Sequence, residues 1–284
     1  MEYSLLALLS GGLLGVWQFG LGLYRGRISR YTVLLVSATA AGISYLLFAL
    51  LTQSLIFDPL DVGAGLLGGF FNVLGTLMLL RAFECGKIGV ASGVAATSTL
   101  VLIAYSVFLG EPMSARTIAG LIAILVGLAM FYGAHLRDES PPQQGKGSGR
   151  AILWALGTAL FWGLANIVLD IGSRVSINAT LTVSEIPQVI LALSLVLLVR
   201  PRLREGVTRP SVAILVGAGI ALALSNSLFF FAANMSDIGV VGVLASLSPI
   251  VTALLALAVF KERMVRLEWA ALIVVILGTC IVLS

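Results

Sequence analysis

The chain is a succession of apolar stretches, each about twenty residues long, divided by short polar turns. They run near 3–24, 31–53, 62–83, 88–109 and 115–136, and then near 151–173, 178–199, 210–232, 238–260 and 266–284. Each approaches the roughly 20 residues that an α-helix needs to cross the hydrocarbon of a bilayer. The pattern therefore predicts an all-α integral membrane protein of ten transmembrane helices. Between the fifth and sixth stretches lies RDESPPQQGKGSG (137–149), rich in Pro, Gly, Ser and Gln. Such a composition buries nothing and reads as a flexible linker. The chain thus divides into a five-helix unit over 1–136, a linker over 137–149 and a second five-helix unit over 150–284.

The two units read as copies of one another. KIGVASGVAATS (87–98) returns as DIGVVGVLASLS (237–248), with Ile88-Gly89-Val90 over Ile238-Gly239-Val240 and Ser98 over Ser248. FLGEPMSARTIAGLIAILVG is echoed by VFKERMVRLEWAALIVVILG, which sets Glu111 over Glu262 and Gly127 over Gly278 after one inserted residue. A repeat of this length means one unit used twice. Because five is odd, each copy ends on the opposite side of the membrane from its start, and the second copy enters inverted. Two inverted five-helix repeats form an architecture used by many secondary transporters. Glycine pairs at GxxxG spacing, Gly11/Gly15, Gly65/Gly69 and Gly89/Gly93, are candidates for close helix crossings in lipid.

Composition agrees with the pattern and narrows the chemistry. Hydrophobic residues make up 59% of the chain, charged residues 11%, and the mean hydropathy is +1.09, whereas soluble domains carry roughly 25% charged residues. The net charge of +4 is read as loop charge that orients a membrane protein, not as a nucleic-acid footprint. MEYSLLALLS opens with Glu2 and lacks a basic n-region, so no secretory signal is expected. Cys85 and Cys280 make no disulfide framework. With His135 as its one histidine, the chain has no material for a histidine metal site or a His-based triad. GxxxxGK[ST], HExxH and GxSxG do not occur, and Asp58 and Asp61 sit in a short turn. An enzyme, a metal centre and a bound cofactor are accordingly not expected.

Polar residues inside membrane spans are costly and carry information. Aligning the first spans of the two copies sets Gly15 over Gly163 and Gln18 over Asn166, so an amide recurs at one place. In the third spans Thr76 lies over Asn226, with Asn72 one turn earlier, and in the fourth Ser98 pairs with Ser248. Trp17 and Trp162 flank the amide pair, and SLFFFAAN sets Phe229, Phe230 and Phe231 in the eighth span, where rings suit a flat or cationic solute. Each polar residue has a plainer reading, since Ser and Asn in membrane helices often bond a neighbouring carbonyl. Each aromatic has one too, as lipid-facing or core filler. Trp154 and Trp269, near span ends, read as interface anchors. Arg81 with Glu84, and Asp170 with Arg174, read as helix-end ion pairs.

With these residues on the page, the chain resembles the drug/metabolite transporter superfamily, in particular its EamA-type members with two five-helix halves. The resemblance is carried by Ala232 with IGVVGVLASLSPIVTALLALAVFKE, by Gly110-Glu111 with Gly127, and by Trp162-Gly163 in ALFWGLANIVL. The chain departs from the pattern at LLGVWQFG, where Trp17 is displaced, and at Thr99, which stands where the second copy has Pro249. The resemblance implies a central cavity lined by the first, third and fourth spans of each half. These spans hold Trp17, Gln18, Asn72, Thr76, Ser98, Trp162, Asn166, Asn226 and Ser248, the candidate substrate-binding residues.

The functional expectation is a secondary transporter of a small organic metabolite, such as an amino acid or amine, working by alternating access. A flippase for an amphiphilic or lipid-linked solute and a non-transporting membrane scaffold are the alternatives. Glu185, in LTVSEIPQVIL, is the candidate for coupling to protons, because burial disfavours an ionised carboxylate. Its alternative role is that of an ordinary hydrated acid at the interface, if the polar INATLTVS before it delays the helix. Of the 17 Lys and Arg, all but Arg116 and Arg174 lie in or beside the odd-numbered loops. The positive-inside rule makes those loops cytoplasmic, with both termini outside; if the source is bacterial, the membrane is the inner or plasma membrane. Members of the resembled family are drawn with both termini inside, so the two arguments disagree and loop charge is preferred.

Overall fold

The computed structural model describes residues 2–52, 54, 57–86, 88–110, 114–137, 148–199, 207–260 and 266–283, and they are all-α. Lys87, Glu111, Glu262 and most of the expected linker lie outside the described residues. The helices in chain order are α1 (Glu2–Gly22), α2 (Arg30–Leu51), α3 (Pro59–Cys85), α4 (Ile88–Ala96), α5 (Ser98–Phe108) and α6 (Ala115–Arg137). They continue as α7 (Ser148–Val199), α8 (Arg209–Ala233), α9 (Ile238–Ala245), α10 (Ser248–Phe260) and α11 (Arg266–Leu283).

Among the described residues, seven helical stretches are long and apolar enough to cross a bilayer, with α4–α5 and α9–α10 each counting as one. The expected ten are thus seven by this measure. Part of the difference is α7, which is 52 residues long and leaves helical conformation at Ser176 (φ −148°, ψ 109°). It comprises two arms, 148–175 and 177–199, matching the expected division between 173 and 178.

The expected spans 88–109 and 238–260 each stand as one stretch long and apolar enough to cross a bilayer, and within each the helix is interrupted. At Thr97 the backbone N–H bonds Val94 O at 3.1 Å, the hydroxyl donates to the same carbonyl at 2.7 Å, and Leu100 N bonds Thr97 O at 2.9 Å. Ser246 repeats this in the second copy: its hydroxyl donates to Val243 O at 2.6 Å, and Ile250 N bonds Leu247 O at 3.0 Å. A hydroxyl that bonds the carbonyl one turn back, together with i→i−3 tightening, interrupts the helical ladder.

The third helix of each copy begins the same way. Asp58 and Asp61 form a capping box before α3, and Thr208 with Ser211 forms one before α8, each with a proline in the first turn. Such caps satisfy helix N–H groups that otherwise lack partners, at about 1 kcal/mol each.

Contacts between the copies come in matched pairs. α1 packs on α8, while α3 packs on the first arm of α7; α2 also packs on α8, and α3 on the second arm; α6 lies on α11. Ser10 Oγ lies 3.2 Å from Ser225 Oγ between α1 and α8, and Thr158 donates to Gly75 O at 3.0 Å in the matching place. The Ser184 carbonyl lies against Gly69 as the Ser37 carbonyl lies against Gly219. A Cβ on Gly11 or Gly15 would stand 2.6 Å from the carbonyl oxygen of Ala245 or Ser248, and one on Gly65 2.8 Å from that of Thr180. Two of the three GxxxG pairs therefore mark backbone-close crossings. A Cβ on Gly89 would meet only Ala253, at an ordinary 3.8 Å.

The outer surface is apolar: Leu47, Leu51, Phe108, Leu153 and Leu198 are all exposed. Soluble proteins rarely expose apolar surface so widely, and lipid is its natural neighbour. The expected ion pairs close helix ends. Glu84 accepts from Arg81 and also from Arg30 of α2, both at 2.7 Å, and Arg174 pairs with Asp170 at 2.9 Å.

Candidate functional site

A small cavity of about 60 Å³ opens where the copies meet. From the first copy, α1 contributes Ser10, Leu14 and Gln18, while α4 and α5 contribute Ala95, Ala96, Ser98, Thr99 and Leu102. From the second, the first arm of α7 supplies Trp162 and Asn166, and α8 supplies Ser225, Asn226 and Phe229. The α9–α10 segment adds Gly242, Ala245, Ser246 and Ser248. Among the described residues, no Lys, Arg, Asp or Glu lines it. The wall can therefore offer amides, hydroxyls and two aromatic faces, but no fixed charge.

The helix breaks shape this wall. Ser98 and Ser248 are the first residues of α5 and α10, and both face the cavity beside the interruptions at Thr97 and Ser246. The Thr99 hydroxyl donates to Gly242 O across the copies at 3.2 Å, tying α5 to α9. Without a side chain at Gly11 and Gly15, α1 lies directly on Ala245 and Ser248, which brings Gln18 to the wall.

Gln18 is almost fully buried, and its amide oxygen accepts from Thr252 Oγ1 at 3.2 Å. The same hydroxyl reaches Gly15 O at 3.1 Å and Ser248 O at 3.0 Å. Asn166, the equivalent amide in the second copy, has no hydrogen-bond partner among the described residues. An amide without an internal partner in a membrane interior is costly to keep, and facing a cavity is one way to satisfy it.

Three candidates lie off the wall. Trp17 points away, its indole N–H donating to Ser37 Oγ on α2 at 2.9 Å, with its ring 5.7 Å from that of Trp162. Thr76 stands behind Trp162 and accepts from its indole N–H at 3.4 Å. Asn72 is half-buried on α3 and does not line the cavity. The phenylalanine run divides: Phe229 lines the cavity, Phe230 is core and Phe231 is exposed. Sequence reading passed over Ser10, Ser225, Ser246 and Thr252. The alignment that paired Gln18 with Asn166 also pairs Ser10 with Thr158, and that was the available signal for one of them.

Helices duplicated around a polar cavity, with an apolar exterior, define a polytopic membrane protein of the solute-carrier kind. The model of the EamA-like transporter family matches residues 2–133 and 149–284, one copy each, and the chain belongs to that family. It is a multi-pass transporter of small solutes and not an enzyme. No curated protein matches the sequence. The chain is similar to a crystal structure described only as "Crystal structure of protein", with a TM-score of 0.77 and 18% identity over 98% of each chain. Identity that low speaks for the fold alone.

Proposed function

We propose that the protein is a ten-helix secondary transporter, built as two inverted five-helix repeats, that moves a small organic metabolite by alternating access. The count is reached by taking α4–α5 and α9–α10 as one span each, the arms of α7 as two, and α6 and α11 as one each. Inversion follows from five spans per copy and is supported by the matched contacts between copies. The observation that carries the site is that Gln18 and Asn166, at equivalent positions, both line one cavity. They are the groups that exchange for the solute's hydration, helped by Asn226, Ser98 and Ser248, while Trp162 and Phe229 supply stacking faces. A wall without fixed charge suits an uncharged or internally compensated solute. Loop charge orients the carrier with its odd-numbered loops in the cytoplasm.

The test is reconstitution into liposomes, with candidate solutes chosen by a thermal-stability screen of amino acids, amines, nucleosides and sugars. Saturable counterflow of a stabilising solute is the expected result. Stabilisation by solutes that show no counterflow would overturn the carrier mechanism, and counterflow restricted to lipid-linked solutes would replace it with a flippase.

A further inference from the structure

Glu185 lies on the second arm of α7, about 12 Å along the helix from Ile177 at 1.5 Å per residue. The stretch INATLTVS before it is helical, and Glu185 is only 2% exposed. The alternative of a hydrated interfacial acid therefore does not hold. Among the described residues, neither carboxyl oxygen has a hydrogen-bond partner, and the same is true of Gln188 Nε2 and of the Tyr45 hydroxyl. These groups are neighbours. Gln188 follows within a turn, a Cβ on Gly42 of α2 would stand 3.2 Å from the Glu185 Cβ, and Tyr45 lies one turn further along α2. Tyr45 lies near both Glu185 and the Asn226 side chain, and neither meets its hydroxyl in hydrogen-bond geometry in this conformation. Asn226 lines the cavity. A carboxyl thus sits one side chain behind the solute wall, within an unsatisfied polar cluster.

Buried polar groups are nearly always paired, so a cluster left open calls for an explanation. Duplication makes the cluster more pointed. Ser37 and Ser184 occupy equivalent places against Gly219 and Gly69, so the counterparts of Glu185 and Gln188 are Ala38 and Ala41, and that of Tyr45 is Ala192. All three alanines are buried. At each place the fold is satisfied by alanine in one copy and carries a polar side chain in the other: Glu185 and Gln188 stand in the second copy and Tyr45 in the first.

We propose that Glu185 is a proton-binding site of the carrier and that Tyr45 links its protonation to solute bound at Asn226. The inference rests on the transporter reading above. An unpaired carboxylate buried among apolar helices costs far more than the neutral acid, so the conformation described here holds the protonated form. A carboxylate oxygen gains its proton from water when the arm opens to one side, and the O–H bond breaks to water on the other side; nothing is oxidised or reduced. Among the described residues, no opposing charge sits nearby to hold the site ionised. Tyr45 is the titratable side chain that α2 presents. α3 faces the arm with Gly65 and Gly69, and α8 contributes Asn226. The charged groups of these elements lie near helix ends: Arg30 on α2, Asp61, Arg81 and Glu84 on α3, and Arg209 on α8. On α7 itself, Asp170 and Arg174 pair with each other beyond the Ser176 break.

The experiment uses the full-length protein in liposomes, with the proton itself as probe. Infrared difference spectra across a pH titration read the carbonyl stretch of protonated carboxyls. The wild type should show a titrating band that Glu185→Gln removes; because Asp61 and Asp170 also have a buried unpartnered oxygen, the assignment needs that variant. Tyr45→Phe should move the band's frequency without removing it. A pH jump on a supported membrane should displace charge in the wild type and not in Glu185→Gln. Spectra of Glu185→Gln identical to wild type would overturn the proposal. If that variant does not fold, an unchanged spectrum of Tyr45→Phe would do so. Neither readout needs the transported solute, so failure here leaves the carrier reading to be judged by counterflow alone.

Discussion

Replacing Gln18 or Asn166 with Leu separates a solute-binding amide from a packing amide. At Gln18 the cost to folding is small. The one bond its oxygen accepts comes from Thr252, whose hydroxyl keeps Gly15 O and Ser248 O within 3.1 Å, so no donor is stranded. Losing one neutral hydrogen bond is worth about 0.5–1.5 kcal/mol, and leucine fills most of the vacated volume. Asn166 has no internal bond to lose. Transport is different. A solute polar group that leaves water and meets leucine loses its partner and bears a desolvation penalty of about 1–3 kcal/mol. At 1.4 kcal/mol per tenfold, apparent affinity should fall by about 5- to 150-fold in either variant. Counterflow in liposomes measures this, with melting temperature in detergent as the folding control. If both variants melt and transport like the wild type, the amides are packing residues and the solute binds elsewhere.

Three further outcomes are expected. Gly15→Val places a side chain where a Cβ alone would stand 2.6 Å from Ser248 O; it should cost about 1–3 kcal/mol, read as a lowered melting temperature, and an unchanged one would refute the close crossing. Ser106→Ala removes the hydroxyl that donates to Asp237 across the copies at 2.6 Å. Asp237 keeps the Gly239 N–H, and the loss of one bond to a charged group is worth about 1.5–3 kcal/mol, so equal stability by denaturant titration would show that this tie contributes nothing. Ser284→Cys, made without Cys85 and Cys280, should react with an impermeant thiol reagent on intact cells, and no labelling would reverse the proposed orientation.

Hydropathy and repetition made the helices legible, because crossing a bilayer demands long apolar runs and a duplicated unit repeats its small residues. The division of α7 was legible at RVSINAT, where polar residues gather around Ser176. The break in α4–α5 was not: Thr97 sits among small and apolar residues that carry no stop signal, and its hydroxyl's turn toward the Val94 carbonyl marks the break. In α9–α10 the available signal was Pro249, which has no N–H to continue the ladder from α9. In the cavity, alignment of the copies found residues by depth, since equivalent positions lie at equivalent heights. It could not find the facing direction. Trp17 and Gln18 are neighbours in sequence, yet consecutive helix residues point about 100° apart, so one lines the wall and the other bonds Ser37 on α2. Asn72 and Thr76 share a face of α3, and that face meets the back of Trp162.

The departures from symmetry bear on mechanism more than the symmetry does. In an inverted pair with identical copies, the two access states exchange the roles of the copies and so have equal energy; nothing in the chain would favour one direction. Here the copies differ at the site. Gln18 answers Asn166, Thr76 answers Asn226, Ser10 answers Thr158, and Tyr45 and Glu185 answer alanines. On the proposed alternating-access mechanism, each difference gives the two states unequal contacts, which is what allows a ligand to shift their balance, and only by as much as its affinities for them differ. The uncharged amides and hydroxyls can supply modest bias of this kind. A carboxyl present in one copy alone supplies more, because burying it charged is far costlier than burying it neutral, so the bias changes with the proton it holds. A shift from 1:99 to 99:1 requires about 5.5 kcal/mol of differential binding. That exceeds the 0.5–1.5 kcal/mol of a single neutral hydrogen bond and lies within reach of a group that is charged in one state and neutral in the other.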